Sequence, residues 1–118
     1  MRTDTVSVPK SKRRSSRGPR ELLAEALLAL ANGRARIAQH SERSWASITF
    51  AGARHRVQMV FEGEEAVESG ECFIAFLPEH EFAIRGQLVA DAAITEVQSI
   101  ARPARLSVTC EILLLEEG

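Results

Sequence analysis

The sequence predicts an α+β fold, in which two helices lie outside an antiparallel sheet of about five strands. Three observations lead to this prediction. Residues near the C-terminus alternate apolar and polar with the period of a strand, the stretch from Pro19 has the apolar spacing and end signals of a helix, and short connections separate the strand-like segments. The predicted order of elements is α-β-β-β-α-β-β, which is typical of an α+β sandwich.

The clearest single element is the predicted strand Arg105–Glu116. Apolar residues occupy every second position from Leu106 to Leu114, and polar residues fill the first positions between them. Leu113 and Leu115 then make the end of the segment apolar on both sides. The strand is therefore predicted to be central in the sheet or covered on both faces.

Two segments are predicted to be helices. The first begins at Pro19, whose fixed φ suits a first helical position, and ends at Asn32-Gly33. The second lies within 62–78 and ends at Pro78. Residues 71–77 also fit a short buried strand, but the long apolar stripe and the acidic first turn favour the helix. That stripe consists of Ala66, Gly70, Phe73 and Leu77.

Four further segments are predicted to be strands. The second and third are joined by a turn at Ala51-Gly52-Ala53, which makes an antiparallel hairpin. In the last of the four, Leu88, Ala92 and Ile94 fall on one side, and Gly86 marks either a bulge or the true strand start. The four segments are Arg34–His40, Ser44–Phe50, Arg54–Phe61 and Phe82–Val97.

Charge is distributed unevenly along the chain, although the net charge is only -1. Residues 1–20 contain seven basic residues and one acidic residue, whereas the remainder contains 8 basic and 15 acidic residues. We therefore predict a disordered basic arm over residues 1–18 and a single domain over residues 19–118. The arm is either a solubilising tail or a segment that binds phosphates, anionic lipid or the acidic domain itself. Its candidate binding residues are Lys10, Lys12, Arg13, Arg14 and Arg17.

A second candidate anion or nucleic-acid site lies on the outward face of the first three predicted strands. Four arginines there are predicted to lie beside Trp45, and arginines next to an exposed aromatic ring bind phosphates and stack on bases. The same pattern also fits an ordinary solvated sheet face. The arginines are Arg34, Arg36, Arg54 and Arg56.

Catalytic and metal-binding signatures are weak, so an enzyme is the less favoured class. His80 lies between Glu79 and Glu81, but the sequence has no HExxH, CxxC, GxSxG or glycine-rich phosphate loop. We predict no catalytic residue, no metal site and no cofactor. Cys72 and Cys110 are too far apart for a close-spaced metal pair and are predicted to be free, buried thiols.

These observations together predict a non-catalytic interaction or scaffold module. A nearly all-apolar first helix and a last strand that is apolar on both faces would be better covered by a second copy, so we expect a homodimer or another homo-oligomer, or a protein partner. A nucleic-acid or anion binder is the alternative. No stretch approaches the roughly 20 apolar residues of a membrane span, and the cytoplasm is the expected location.

Overall fold

The computed structural model describes residues 17–117, which form two helices and one four-stranded sheet. The strand order is β1-β2-β4-β3, and every neighbouring pair is antiparallel. The elements are α1 (Pro19–Leu30), β1 (Ala35–Ala46), β2 (Ala51–Glu62), α2 (Glu64–Phe76), a 3-10 turn (Leu77–Glu79), β3 (Gln87–Ala101) and β4 (Ala104–Glu116). The predicted α+β class is confirmed.

The hydrophobic core lies between the two helices and one face of the sheet. Leu23 and Leu27 of α1 and Phe73 of α2 are fully buried, and they pack with alternate residues of β2 and β4. In β4 these are the predicted residues Leu106–Leu114, and the strand lies between β2 and β3. Its predicted central place is confirmed.

Both helices have the predicted bounds to within a few residues. Asn32 and Gly33 adopt left-handed φ angles of 60° and 67°, and the Gly33 amide donates to the Leu28 carbonyl at 2.9 Å, which ends α1. Residues 71–76 belong to α2, as favoured, Leu77 begins the 3-10 turn, and the whole predicted stripe is buried. A Cβ at Gly70 would lie 2.6 Å from Leu106 Cδ2, so this helix backbone sits directly on the sheet.

The sheet has four strands rather than five because two predicted strands are one. The prediction of two separate strands at Arg34–His40 and Ser44–Phe50 was wrong, since β1 runs without interruption from Ala35 to Ala46. It is an edge strand with a register shift between Ile37 and Gln39, so polar residues are tolerated on both sides and the alternation breaks. The turn is also displaced. Ser47 and Phe50 close it through a 2.7 Å hydrogen bond, instead of the predicted Ala51-Gly52-Ala53.

The strand predicted at Phe82–Val97 begins and ends later, as β3. Gly86 has a φ of 77° and lies in the turn before the strand, so the true-start interpretation of this glycine is confirmed. A register shift between Val89 and Asp91 puts Leu88 on the opposite face from Ala92. The prediction that these two residues share a side was therefore wrong.

The strands β2 and β3 run parallel to each other and are connected through α2, with β4 inserted between them. This arrangement is a split β-α-β unit. Both helices use the same face of the sheet, and the described residues place no third layer on the other face. No helix within residues 17–117 is long and apolar enough to cross a bilayer.

Candidate functional site

The face of the sheet that points away from the helices is called the open face here. It consists of Gly52, Arg54, Arg56, Gln58, Val60 and Glu62 of β2, together with the residues that pair directly with them across the sheet. Residues that lie directly opposite each other in an antiparallel pair share a face, so the register extends the first five positions into rows of four and Glu62 into a row of three. The rows differ in chemistry from one end of the sheet to the other.

One end of the open face is apolar. The first row reads Trp45, Gly52, Leu115 and Leu88, and Leu113 lies at the centre of the next. Leu113 and Leu115 are 7% and 6% exposed on the central strand, whereas Leu88 on the edge strand is 49% exposed. The adjoining β1–β2 turn adds two more exposed apolar side chains, Ile48 and Phe50.

Charge divides the middle of the open face along a line between β2 and β4. Arg36, Arg43, Arg54 and Arg56 lie on β1 and β2, whereas Asp91, Glu96 and Glu111 lie on β3 and β4. Ion pairs cross the line: Arg56 lies 3.0 Å from Glu111 and 3.6 Å from Glu96. Arg43 is exposed and forms no ion pair with any residue between 17 and 117.

The structure brings most of the predicted sheet arginines together. Arg36, Arg54 and Arg56 share the open face with Trp45, and Arg43, which was not among the predicted site residues, belongs to the same group. Arg34 does not join them. It precedes β1 and lies 2.7 Å from Glu65 of α2, where its hydrogen bond lowers the pKa of that carboxyl.

The predicted arm residues Lys10, Lys12, Arg13 and Arg14 lie outside the described residues. Arg17 is described and forms an ion pair with Glu25 of α1. The Gly18 amide donates to the Glu21 carboxylate at 2.9 Å, which stabilises the start of α1.

Sequence reasoning missed a histidine pair on the helix-covered face, of which His55 is buried and His40 half-buried. His40 Nε2 and His55 Nδ1 lie 2.9 Å apart, and His55 is only 2% exposed. Arg20 of α1 covers them, donating to the His40 carbonyl and to Glu42. The two histidines lie 15 residues apart in sequence, and the register shift in β1 turns His40 inward, so only the paired hairpin reveals their contact.

Burial keeps both histidines neutral. It lowers the pKa of His40 to about 4, with further contributions from the charges of Arg20 and His55. Burial also lowers the pKa of His55. The charge of Glu42 raises this pKa, and the charge of Arg20 lowers it. A neutral pair can share one N–H between the facing nitrogens, whereas two imidazolium rings would bring two donors together.

This pair predicts acid sensitivity. Because the folded-state pKa values lie below the unfolded value of about 6.5, the unfolded chain binds more protons below that pH. The neutral histidine pair therefore stabilises the folded state fully above pH 6.5, and this stabilisation is lost as the pH falls towards 4. We expect urea unfolding to show a loss of about 1–2 kcal/mol between pH 7 and 5, allowing for partial solvent screening.

A matched set of variants tests the origin of that loss. Gln in place of His40 and Asn in place of His55 keep a polar atom near each facing nitrogen but cannot titrate in this range. The double variant should show a nearly flat free energy of unfolding between pH 7 and 5, whereas His80→Gln should retain the slope. An unchanged slope in the double variant would contradict the assignment.

The remaining histidine, His80, lies at the edge of a surface groove. It is exposed after the 3-10 turn, and its ring packs edge-on against Phe82 with centroids 4.6 Å apart. A groove of about 560 Å³ beside it is also lined by Glu81, Asp91 and Glu117. Among residues 17–117, no group of three or more His, Cys, Asp or Glu side chains could hold a metal ion.

The two cysteines differ in environment. Cys110 is buried in the core, and burial raises the pKa of its thiol to about 12, with a smaller contribution from Glu111. Cys72 is exposed on α2, so the prediction that both thiols are buried was wrong for this residue. It lies between the exposed Glu71 and the fully buried Phe73, on the outer side of the helix.

Comparisons with known proteins give little beyond this geometry. No model of a known protein family matches the chain, and no curated protein matches it. Among solved structures, the crystal structure of the type 4 fimbrial biogenesis protein PilO from Pseudomonas aeruginosa is similar over 87% of this chain and 71% of that one, with 16% sequence identity and a TM-score of 0.45. A likeness at this level carries no argument about what this chain does.

Proposed function

We propose that this chain is a non-catalytic interaction module that associates with a second copy of itself. The observation that carries the proposal is the apolar end of the open face, where the half-buried Trp45 and the 49% exposed Leu88 flank the buried Leu115 and no described element forms a second layer. A sheet normally buries its apolar side chains against another layer. A second copy supplies that layer.

Support for this class also comes from the composition of the face. An interface that forms between folded chains combines an apolar centre with a polar, charged surround. The open face has both kinds of surface, with apolar residues at one end and arginines and carboxylates in the following rows. The cytoplasmic location and the basic arm of residues 1–18 stay predictions beside this proposal.

Light scattering coupled to size-exclusion chromatography tests self-association directly. The full chain should elute at micromolar concentration with twice the mass of the 13.0 kDa monomer. A monomer at every concentration up to the solubility limit would refute the proposal.

A pair of substitutions separates the open face from other apolar surface. Leu88→Asn should shift the protein towards monomer, because it places a polar group in the apolar row, and we expect at least a tenfold weaker association. Phe76→Asn is the matched control, since Phe76 is 60% exposed but lies on α2, behind the sheet. Equal effects of the two variants would show that the open face is not the contact.

The alternative, a nucleic-acid binder, is favoured by one observation: Arg43 and Arg54 are direct neighbours beside the row of Trp45. Fluorescence polarisation with labelled single-stranded DNA and RNA distinguishes the two functions. Phosphate binding falls steeply with salt, and here it would also fall in Arg43→Ser and on deletion of residues 2–18. Association through apolar side chains would persist at high salt.

A further inference from the structure

The open face is self-complementary in charge, and we infer that two copies pack face to face about a two-fold axis that runs parallel to the strands, between β2 and β4. This inference rests on the proposed self-association and specifies its geometry. Rotation about such an axis turns the second sheet over and exchanges its two sides, so that β1 of one copy lies above β3 of the other and β2 lies above β4. Each residue stays in its own row.

On the outer strands, the first two rows then match in chemistry. In the apolar row, Trp45 of one copy lies over Leu88 of the other, because β1 and β3 exchange places. In the next row, Arg43 lies over Asp91 by the same exchange. These two contacts occur twice in the dimer, as in any two-fold interface.

The rows beyond them follow the same rule. Arg56 of one copy lies over Glu111 of the other, because these residues pair directly across β2 and β4. At the far end the charges are reversed, with Glu62 on β2 and Arg105 on β4, and the rotation again brings opposite charges together. A two-fold axis across the strands would instead set β1 over β1, with basic residues facing basic residues.

Arg43 and Asp91 are the residues best placed to decide the pairing. Arg56 already has two carboxylates within 3.6 Å on its own chain. Arg43 is exposed and has no ion-pair partner between residues 17 and 117. The side chain of Asp91 is 60% exposed, and its carboxylate lies 4.0 Å from the guanidinium of Arg54. Arg43 and Asp91 lie three strands apart on one chain, about 14 Å, so a contact between them must come from two different copies.

The face is also large enough. Four strands paired over eleven residue positions cover about 700 Å², given the usual strand spacing and rise per residue. A standard protein interface buries about 800 Å² on each partner. Two such sheets would pack about 10 Å apart.

Two charge-reversal variants and their mixture test this geometry in the full-length protein. In Arg43→Glu each of the two symmetric contacts sets a glutamate against Asp91, and in Asp91→Arg each sets an arginine against Arg43. Either variant alone should raise the dimer dissociation constant at least tenfold. Mixed in equal amounts, they should form a heterodimer close to wild-type affinity, since both contacts then join opposite charges.

Sedimentation velocity with one variant fluorescently labelled measures the homodimers and the heterodimer. Glu68→Arg serves as the charge-matched control for Asp91→Arg, because Glu68 is exposed on α2, and it should leave the dissociation constant unchanged. Variants that dimerise like the wild type, or a mixture that stays monomeric, would overturn this geometry while leaving self-association intact. A monomeric wild type would overturn the proposed function as well.

Discussion

Replacing Gly52 with alanine is expected to lower the free energy of unfolding by about 3 kcal/mol. A Cβ at this position of β2 would lie 1.9 Å from the carbonyl oxygen of Leu114 and 2.9 Å from the Cα of Leu115. Both are backbone atoms of β4, so no change of rotamer relieves the contact. The two central strands must separate at the apolar end of the open face. Urea unfolding followed by circular dichroism measures the loss.

Gly86→Ala is the control for this substitution. Gly86 has a φ of 77°, where an alanine is strained by about 1 kcal/mol, but an added Cβ there meets nothing within 4 Å. Gly52 does not have a left-handed φ, so its cost comes from the contact alone. Equal losses for the two variants would contradict the close approach of β2 and β4 at Gly52.

Leucine at Gly70 is expected to be at least as damaging, with a loss of about 3–4 kcal/mol. The backbone of α2 passes so close to the sheet here that even a Cβ would lie 2.6 Å from Leu106 Cδ2 and 2.9 Å from Phe61 Cγ. The ring of Phe61 is held in turn by Phe73, with centroids 5.9 Å apart. A longer side chain must lift the helix from the core, which denaturant unfolding and near-ultraviolet circular dichroism would report.

Alanine at the same position sets two effects against each other. Glycine in a helix interior costs about 1 kcal/mol relative to alanine, so helix propensity favours the substitution. The contact with the ring of Phe61 opposes the substitution. We expect this contact to outweigh the gain, with a net loss of about 1 kcal/mol in the free energy of unfolding. Leu106→Val removes one of the two obstructing groups. The double variant should therefore lose less free energy of unfolding than the two single variants lose together. If the two losses were strictly additive, the side chains at positions 70 and 106 would not be in contact.

The regular elements could be predicted because each keeps one period along its whole length. β4 alternates from Leu106 to Leu114, and the α2 stripe from Ala66 to Leu77 follows helical spacing, and both sets of residues are buried. Burial on one consistent side leaves a pattern that the sequence alone reveals. These two elements line the core, where every inward position must be apolar and the pattern is therefore most regular.

The edge strands were harder to predict because their periods are interrupted. A register shift in β1 follows Ile37, and the polar run up to Arg43 then looks like a loop between two strands. β3 contains two such shifts, which is why the face of Leu88 was misassigned. An edge strand has solvent along one side, so its sequence need not alternate to be stable.

The candidate site was predictable only in part for a related reason. The outward direction of Arg54 and Arg56 follows from the alternation of β2 itself. Their partners Asp91 and Glu111 come from strands that are distant in sequence, and only the order β1-β2-β4-β3 brings these charges together. The division of charge that makes the open face self-complementary is therefore a property of topology.

The position of the bulges also limits how far this protein can assemble. All three register shifts lie on the outer strands β1 and β3, while β2 and β4 pair without interruption. A bulge distorts the row of free amide and carbonyl groups that an incoming strand would need, so growth of the sheet from either side is discouraged. Contact through the open face, by contrast, uses the same surface on both chains, so neither copy keeps a free open face for a third chain. The association proposed above therefore closes at two copies and does not extend into a fibre.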